Sequence, residues 1–156
     1  MNYLISPLLK DEEIQIFKKK LEENNEYWED GRKTAGSYAA KVKNNLQLNR
    51  NSDVSQNLSK LIINKILSNP LIKSFSLPKK IHGIMFSKSS EGMKYGRHID
   101  NAFMPSGRAD LSFTIFFNEK ESYKGGELII ENINSENKFK LNSGEIIIYP
   151  STICTL

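Results

Sequence analysis

The chain has 156 residues, 38% of them hydrophobic and 26% charged, with a formal net charge of +4. That length predicts a single domain over residues 1–156, large enough to bury a core. Of the 22 basic residues 18 are Lys, scattered among Asn and Ile instead of interleaved with aromatics, so composition argues against a nucleic-acid partner.

A lone cysteine, Cys154, rules out an internal disulfide framework and suits a reducing cytoplasm, the expected location. The opening segment "MNYLISPLLKDEEI" lacks a basic region followed by a long apolar run. No stretch approaches a membrane span, so no membrane partner is expected.

In chain order, residues from about 6 to 70 read as helical. "SPLLKDEEIQIFKKKLEEN" begins with Ser6-Pro7 as cap and first turn. It carries Leu9, Ile14, Phe17 and Leu21 near helical spacing, with acidic residues early and lysines late. "EYWEDGRKTAGSYAAKVKNNLQL" follows, with a glycine turn and an alanine-containing stretch. "DVSQNLSKLIINKILSNP" predicts a second amphipathic helix capped by Asp53 and stopped at Asn69-Pro70.

From about residue 77 to 156 the pattern changes. "PKKIHGIMFS", "ADLSFTIFFN", "GGELIIEN", "NKFKLNSG" and "EIIIYPS" are short, β-branched and aromatic, and punctuated by Gly, Asn, Ser and Pro. They predict antiparallel strands and hairpins, so the fold class is α+β, with helices packed on one face of a sandwich or jelly roll.

The candidate site is "YGRHIDNA". Residues two apart on a strand share a face, so His98 and Asp100 can converge on one point. An imidazole and a carboxylate are two members of the facial triad that holds non-haem iron. On spacing alone the pair also reads as a hydrogen-bonded histidine beside a turn-opening aspartate. Tyr95 and Asn101 flank the motif and either shape it or serve as a packed tyrosine and a turn asparagine.

This motif occurs in order with "WEDGRKTAGSYAAKVKNN", the pair Arg108 and Asp110, "YKGGELIIE" and "LNSGEIIIYPS". The constellation, from Trp28 to Ser151, resembles the PKHD-type hydroxylases, prolyl-4-hydroxylase-like members of the Fe(II)- and 2-oxoglutarate-dependent dioxygenases. The resemblance implies a double-stranded β-helix, a cupin-like jelly roll. It also implies Fe(2+), 2-oxoglutarate as cosubstrate and L-ascorbate as reductant. The implied reaction inserts one oxygen atom of O2 into a substrate C–H bond while 2-oxoglutarate is decarboxylated to succinate. The hydroxylated substrate is not implied.

By position, His98 and Asp100 match two iron ligands, and Ser112, Thr114 and Phe116, with Tyr95, match the cosubstrate pocket. Gly125-Gly126 matches a tight turn, and Trp28, Thr34 and Lys43-Asn44-Asn45 match a segment near the site entrance. The chain departs from the pattern at its far end. Thr155 stands where the third ligand, a distal histidine, is expected, and the arginine that grips the far carboxylate of 2-oxoglutarate has no counterpart. Ser89 replaces a tyrosine of the pattern.

His82 lacks the family spacing, and Cys154 is too soft a donor for an oxygen-activating site. Lys138 or Lys140 could substitute for the arginine. These departures lead to the expectation that the last strands are missing. The alternative reading is a truncated, catalytically impaired remnant with weak metal binding; a partner chain supplying the groups, or a homo-oligomer, is compatible.

Overall fold

The computed structural model describes residues 3–35, 39–132 and 134–156. Residues 36–38 of the expected entrance segment lie outside it. The chain begins with β1 (Leu4–Pro7), α1 (Asp11–Glu23), β2 (Trp28–Asp30), α2 (Ala39–Val42), β3 (Lys43–Asn44) and β4 (Leu46–Leu48). Two helices, α3 (Asp53–Ser68) and α4 (Pro70–Ser76), precede the short strands β5 (Ser87–Lys88), β6 (Lys94–Tyr95), β7 (His98–Ile99), β8 (Phe103–Met104) and β9 (Gly107–Arg108). The longer strands β10 (Leu111–Ile115), β11 (Leu128–Asn132), β12 (Ser135–Phe139) and β13 (Glu145–Pro150), with the short β14 (Cys154–Thr155), complete it.

Two sheets organise the second half. One has the order β1-β13-β10 and the other β12-β11-β14-β7, and the pairings within both are antiparallel. Strand β13 is buried on both faces, which is why its sequence is a continuous apolar run instead of an alternation. Ile146 and Ile148 pack with Ile14 and Phe17 of α1, Leu58, Ile62 and Ile66 of α3, and Ile72 of α4. Ile147 and Tyr149 join Phe116, Ile130 and Phe139 in a second core.

The helices follow ordinary rules. Glu13 accepts a hydrogen bond from the Lys10 amide at 2.9 Å and, with Asp11 and Glu12, puts negative charge at the start of α1. Leu58, Ile62 and Ile66 recur every fourth residue along α3 and form its buried stripe.

Several boundaries differ from the sequence expectation. Ser6-Pro7 does not start a helix; it ends β1, where Ser6 faces Ile146 and Pro7 faces Glu145. An edge strand tolerates a proline because one side of its backbone needs no partner, and the apolar edge of β13 claims the segment. The cap of α3 is Ser52, one residue before Asp53. Asn69-Pro70 ends α3 and also starts α4: the Asn69 side chain accepts from the Ile72 amide and Pro70 occupies the first turn.

Among its described residues the stretch 26–48, read as part of a helical half, forms three strands, the short helix α2 and 3-10 turns at Asn25–Tyr27 and Gly31–Thr34. Strand β2 pairs with β4, while β4 and β3 find their other partners, β5 and β6, far along the chain. "PKKIHGIMFS" is mostly unpaired and joins a sheet only at Ser87, although Ile84 and Phe86 alternate into the core. The Gly125-Gly126 turn is as expected, both residues having positive φ.

One close approach fixes the site's floor. Gly96 donates its amide to the Val42 carbonyl at 2.8 Å, and a Cβ on Gly96 would lie 3.0 Å from the Val42 Cβ.

Two outcomes check this architecture. Ile62→Ala should cost about 2–5 kcal/mol, read as a lower urea midpoint at unchanged slope; a loss below about 1 kcal/mol would place α3 outside the core. Gly96→Ala should cost about 1–3 kcal/mol by overpacking. Gly83→Ala, with nothing within 4 Å of the new methyl, should cost much less. Equal losses at the two glycines would show that the approach to Val42 constrains nothing.

Candidate metal centre and its cleft

A broad cleft runs between the strands and is lined by His98, Asp100, Tyr95, Ser112, Thr114 and Thr155, among others. His98 is brought there by β7, which pairs with β14 so that His98 lies directly opposite Thr155. The ring Nδ1 donates to the Gly96 carbonyl at 2.9 Å. A carbonyl only accepts, so Nδ1 carries a proton there and Nε2 is the nitrogen turned toward Asp100 and Thr155.

That nitrogen is 3.4 Å from Asp100 Oδ1 and 3.3 Å from Thr155 Oγ1. Burial alone would raise the Asp100 carboxyl. Its neighbours His98, Ser112 and Lys43 outweigh that and hold it below the usual carboxylate range, so it is ionised. An imidazole nitrogen and a carboxylate therefore face one opening, a donor pair that a metal cation can take up. Fixing the ring by its second nitrogen is the way metal-binding histidines are oriented.

The donors present fit a divalent iron at two positions. Beside them Thr155 offers only a neutral hydroxyl. Among the described residues no group of three or more His, Cys, Asp or Glu side chains gathers to hold an ion.

The Tyr95 ring stacks on the His98 imidazole, with centroids 3.7 Å apart and planes 11° from parallel. Lys43, opposite Tyr95 in the β3–β6 pair, places its Nζ over the same ring, 4.8 Å from the centroid. Ser112 and Thr114 share a face of β10, opposite Tyr149 and Ile147 of β13. The Ser112 hydroxyl is 3.0 Å from that of Ser151. Burial, followed by the Asp100 charge, pushes the Tyr149 phenol well above its ordinary range. Phe116 continues the same face into the second core.

Other expected residues fall elsewhere. The Asn101 side chain accepts from the Phe103 amide at 3.0 Å and shapes a turn. Cys154 alternates with Thr155 and lies opposite Ile99, on the face away from His98. His82 is held by Ser106 and the Arg108 carbonyl, and Arg108 pairs with Asp110 at an exposed position. Lys138 pairs with Glu136, and Lys140 donates to the Tyr123 carbonyl, so both are engaged outside the cleft.

Of the entrance segment, Trp28 lines the cleft and donates to the Leu21 carbonyl. Thr34 bonds the Gly31 carbonyl and Gln47. Sequence reasoning passed over Tyr149 and Ser151 because "EIIIYPS" reads as a core strand; their period-two relation to Ile147 was the available signal.

The chain has relatives along nearly its whole length. It is 68% identical over 152 residues to a PKHD-type hydroxylase of Prochlorococcus marinus strain AS9601, covering 97% of this chain and 69% of that protein. It is 52% identical, with the same coverage, to a PKHD-type hydroxylase of strain MIT 9313. The 2OG-Fe(II) oxygenase superfamily profile matches residues 84–155, which include His98, Asp100 and Thr155. The fold is shared with a Pseudomonas putida prolyl-4-hydroxylase, at a TM-score of 0.66 and 14% identity over 98% of this chain and 82% of that one. A histidine–aspartate pair opening into a cleft between antiparallel sheets, on a chain with these relatives, belongs to the PKHD-type hydroxylases, enzymes of the 2OG-Fe(II) oxygenase superfamily.

Proposed function

We propose that the chain is an Fe(II)- and 2-oxoglutarate-dependent hydroxylase that inserts one oxygen atom of O2 into a substrate C–H bond and releases succinate and CO2. The observation that carries this reading is the convergence of His98 Nε2 and Asp100 Oδ1 on one opening of the cleft, with the imidazole oriented by the Gly96 carbonyl. His98 and Asp100 would hold Fe(2+), with the Thr155 hydroxyl beside them. When bound, iron supplies the activation of O2 that couples the two oxidations.

The protein's own part is positioning and enclosure. Tyr95 backs the imidazole with its ring and keeps it from turning. Ser112 and Thr114 offer hydroxyls to the cosubstrate from β10, and Phe116 closes that end of the face with an apolar wall. In this reading the two sheets form a double-stranded β-helix with its mouth at His98, L-ascorbate maintains the reduced metal, and the enzyme works in the cytoplasm.

A site with two charged or imidazole donors and one hydroxyl holds iron less firmly than one with three such donors, because affinity follows the donor set. Thr155→His should therefore tighten anaerobic Fe(II) binding by about tenfold or more, measured by calorimetry. Unchanged affinity would mean that Thr155 does not face the metal position.

Turnover is the second check. Fe(II)-dependent formation of succinate from 2-oxoglutarate should be detectable in Thr155→His and abolished by adding His98→Ala, with the circular dichroism unchanged. Succinate formation that survives the loss of His98, or no formation in any of these chains, would overturn the reading.

A further inference from the structure

His82 takes no part in the metal centre, yet both of its ring nitrogens are engaged at the cleft wall. Nδ1 lies 2.8 Å from the Ser106 hydroxyl and Nε2 lies 3.0 Å from the Arg108 carbonyl. A carbonyl only accepts, so Nε2 donates, while a hydroxyl can serve Nδ1 as donor or as acceptor. Both partners belong to one hairpin, β8–β9, whose pairing sets Phe103 opposite Arg108 and Met104 opposite Gly107. The ring rests against Gly107, where φ is +131° and a Cβ would stand 3.5 Å from His82 Cε1.

Little else holds this hairpin. None of residues 102–109 belongs to either core, and Phe103 is 78% exposed. Among the described residues, their hydrogen bonds and ion pairs stay within 101–110, apart from the two to His82. The base of the hairpin is fixed at Asp110, whose carbonyl accepts from the Ser151 amide at 3.0 Å. Its far end depends on the histidine. His82 itself is firmly mounted, since Ile81 packs against the first core and Ile84 lies inside it.

The hairpin matters for what it joins. It spans the chain between Asp100 and the Ser112–Thr114 face of β10, and Met104, Ser106 and Gly107 line the cleft. Selectivity for the shape of a bound molecule needs walls that stay in place. We propose that His82 is a positioning residue: by clasping Ser106 and Arg108 it holds the β8–β9 hairpin as a fixed wall of the cleft, and leaves the metal to His98 and Asp100. The use of that wall rests on the hydroxylase reading above; the clasp itself does not.

The test is hydrogen–deuterium exchange of the hairpin amides, Ala109 foremost because its amide bonds the Ala102 carbonyl across the hairpin. His82→Ala should speed exchange over residues 102–109 by about 10- to 100-fold, the loss of two hydrogen bonds, with the amides of β13 unchanged. His82→Gln, whose side-chain amide can still donate to the Arg108 carbonyl, should restore part of the protection. Ser106→Ala should give an intermediate effect, and adding it to His82→Ala should change nothing further.

Mn(II) affinity, read by calorimetry, separates this role from ligation: His82→Ala should bind as the native chain does, and His98→Ala should not. Unchanged hairpin exchange in His82→Ala, or single effects that simply add in the double variant, overturns the clasp. So does a rise in exchange spread equally over β13, which would make His82 a residue of the general fold. A fall in Mn(II) affinity to that of His98→Ala would put His82 in the metal centre and overturn the positioning role. A native chain that takes up no Mn(II) overturns the hydroxylase reading, while the exchange result still decides the clasp.

Discussion

Burial of β13 on both faces is the constraint around which the rest is arranged. Ile146 and Ile148 commit one face to the helices, and Ile147 and Tyr149 commit the other to the second sheet. A one-residue slip would exchange the two sets, placing a phenol among the helices, so the register is strongly specified. That register puts Ser112 opposite Tyr149 and Thr114 opposite Ile147, and it delivers the polar wall of the cleft to the side where β7 and β14 bring His98 and Thr155 together. The helices thus act on the site indirectly, by deciding which face of β13 is free to look into it.

Locally the site depends on a backbone contact. Gly96 serves twice: its amide ties β6 to the end of α2, and its carbonyl holds the His98 ring. The Tyr95 ring adds a flat surface against the imidazole, and Lys43 extends the series outward. These contacts come from a short stretch of one strand and the strand beside it. The order of the centre is therefore largely independent of the distant core, even though its placement is not.

Much of the second half was legible in the sequence because its strands are bounded by turn residues and alternate by twos. The same alternation made His98 and Asp100 readable as a converging pair. The first half was less legible. Strands β1 to β4 are short, and β1, β4 and β3 pair with β13, β5 and β6, distant edges that no local pattern announces. Pro7 looked like a helix start because proline suits a first turn, and an unpaired edge suits it equally well. Lys43 was placed near the entrance by resemblance alone; its position over the Tyr95 ring comes from the β3–β6 pairing, which no local pattern announces.

The position of Trp28 gives the protein an optical property. It is the single tryptophan of the chain, its indole N–H is fixed on the Leu21 carbonyl, and its ring lines the cleft with the Lys88 ammonium 5.8 Å from the centroid. Indole emission responds to the polarity and charge around the ring, and here all of it originates at the cleft wall. Occupancy of the cleft is thereby written into the intrinsic fluorescence, without a label and without interference from indoles elsewhere in the fold.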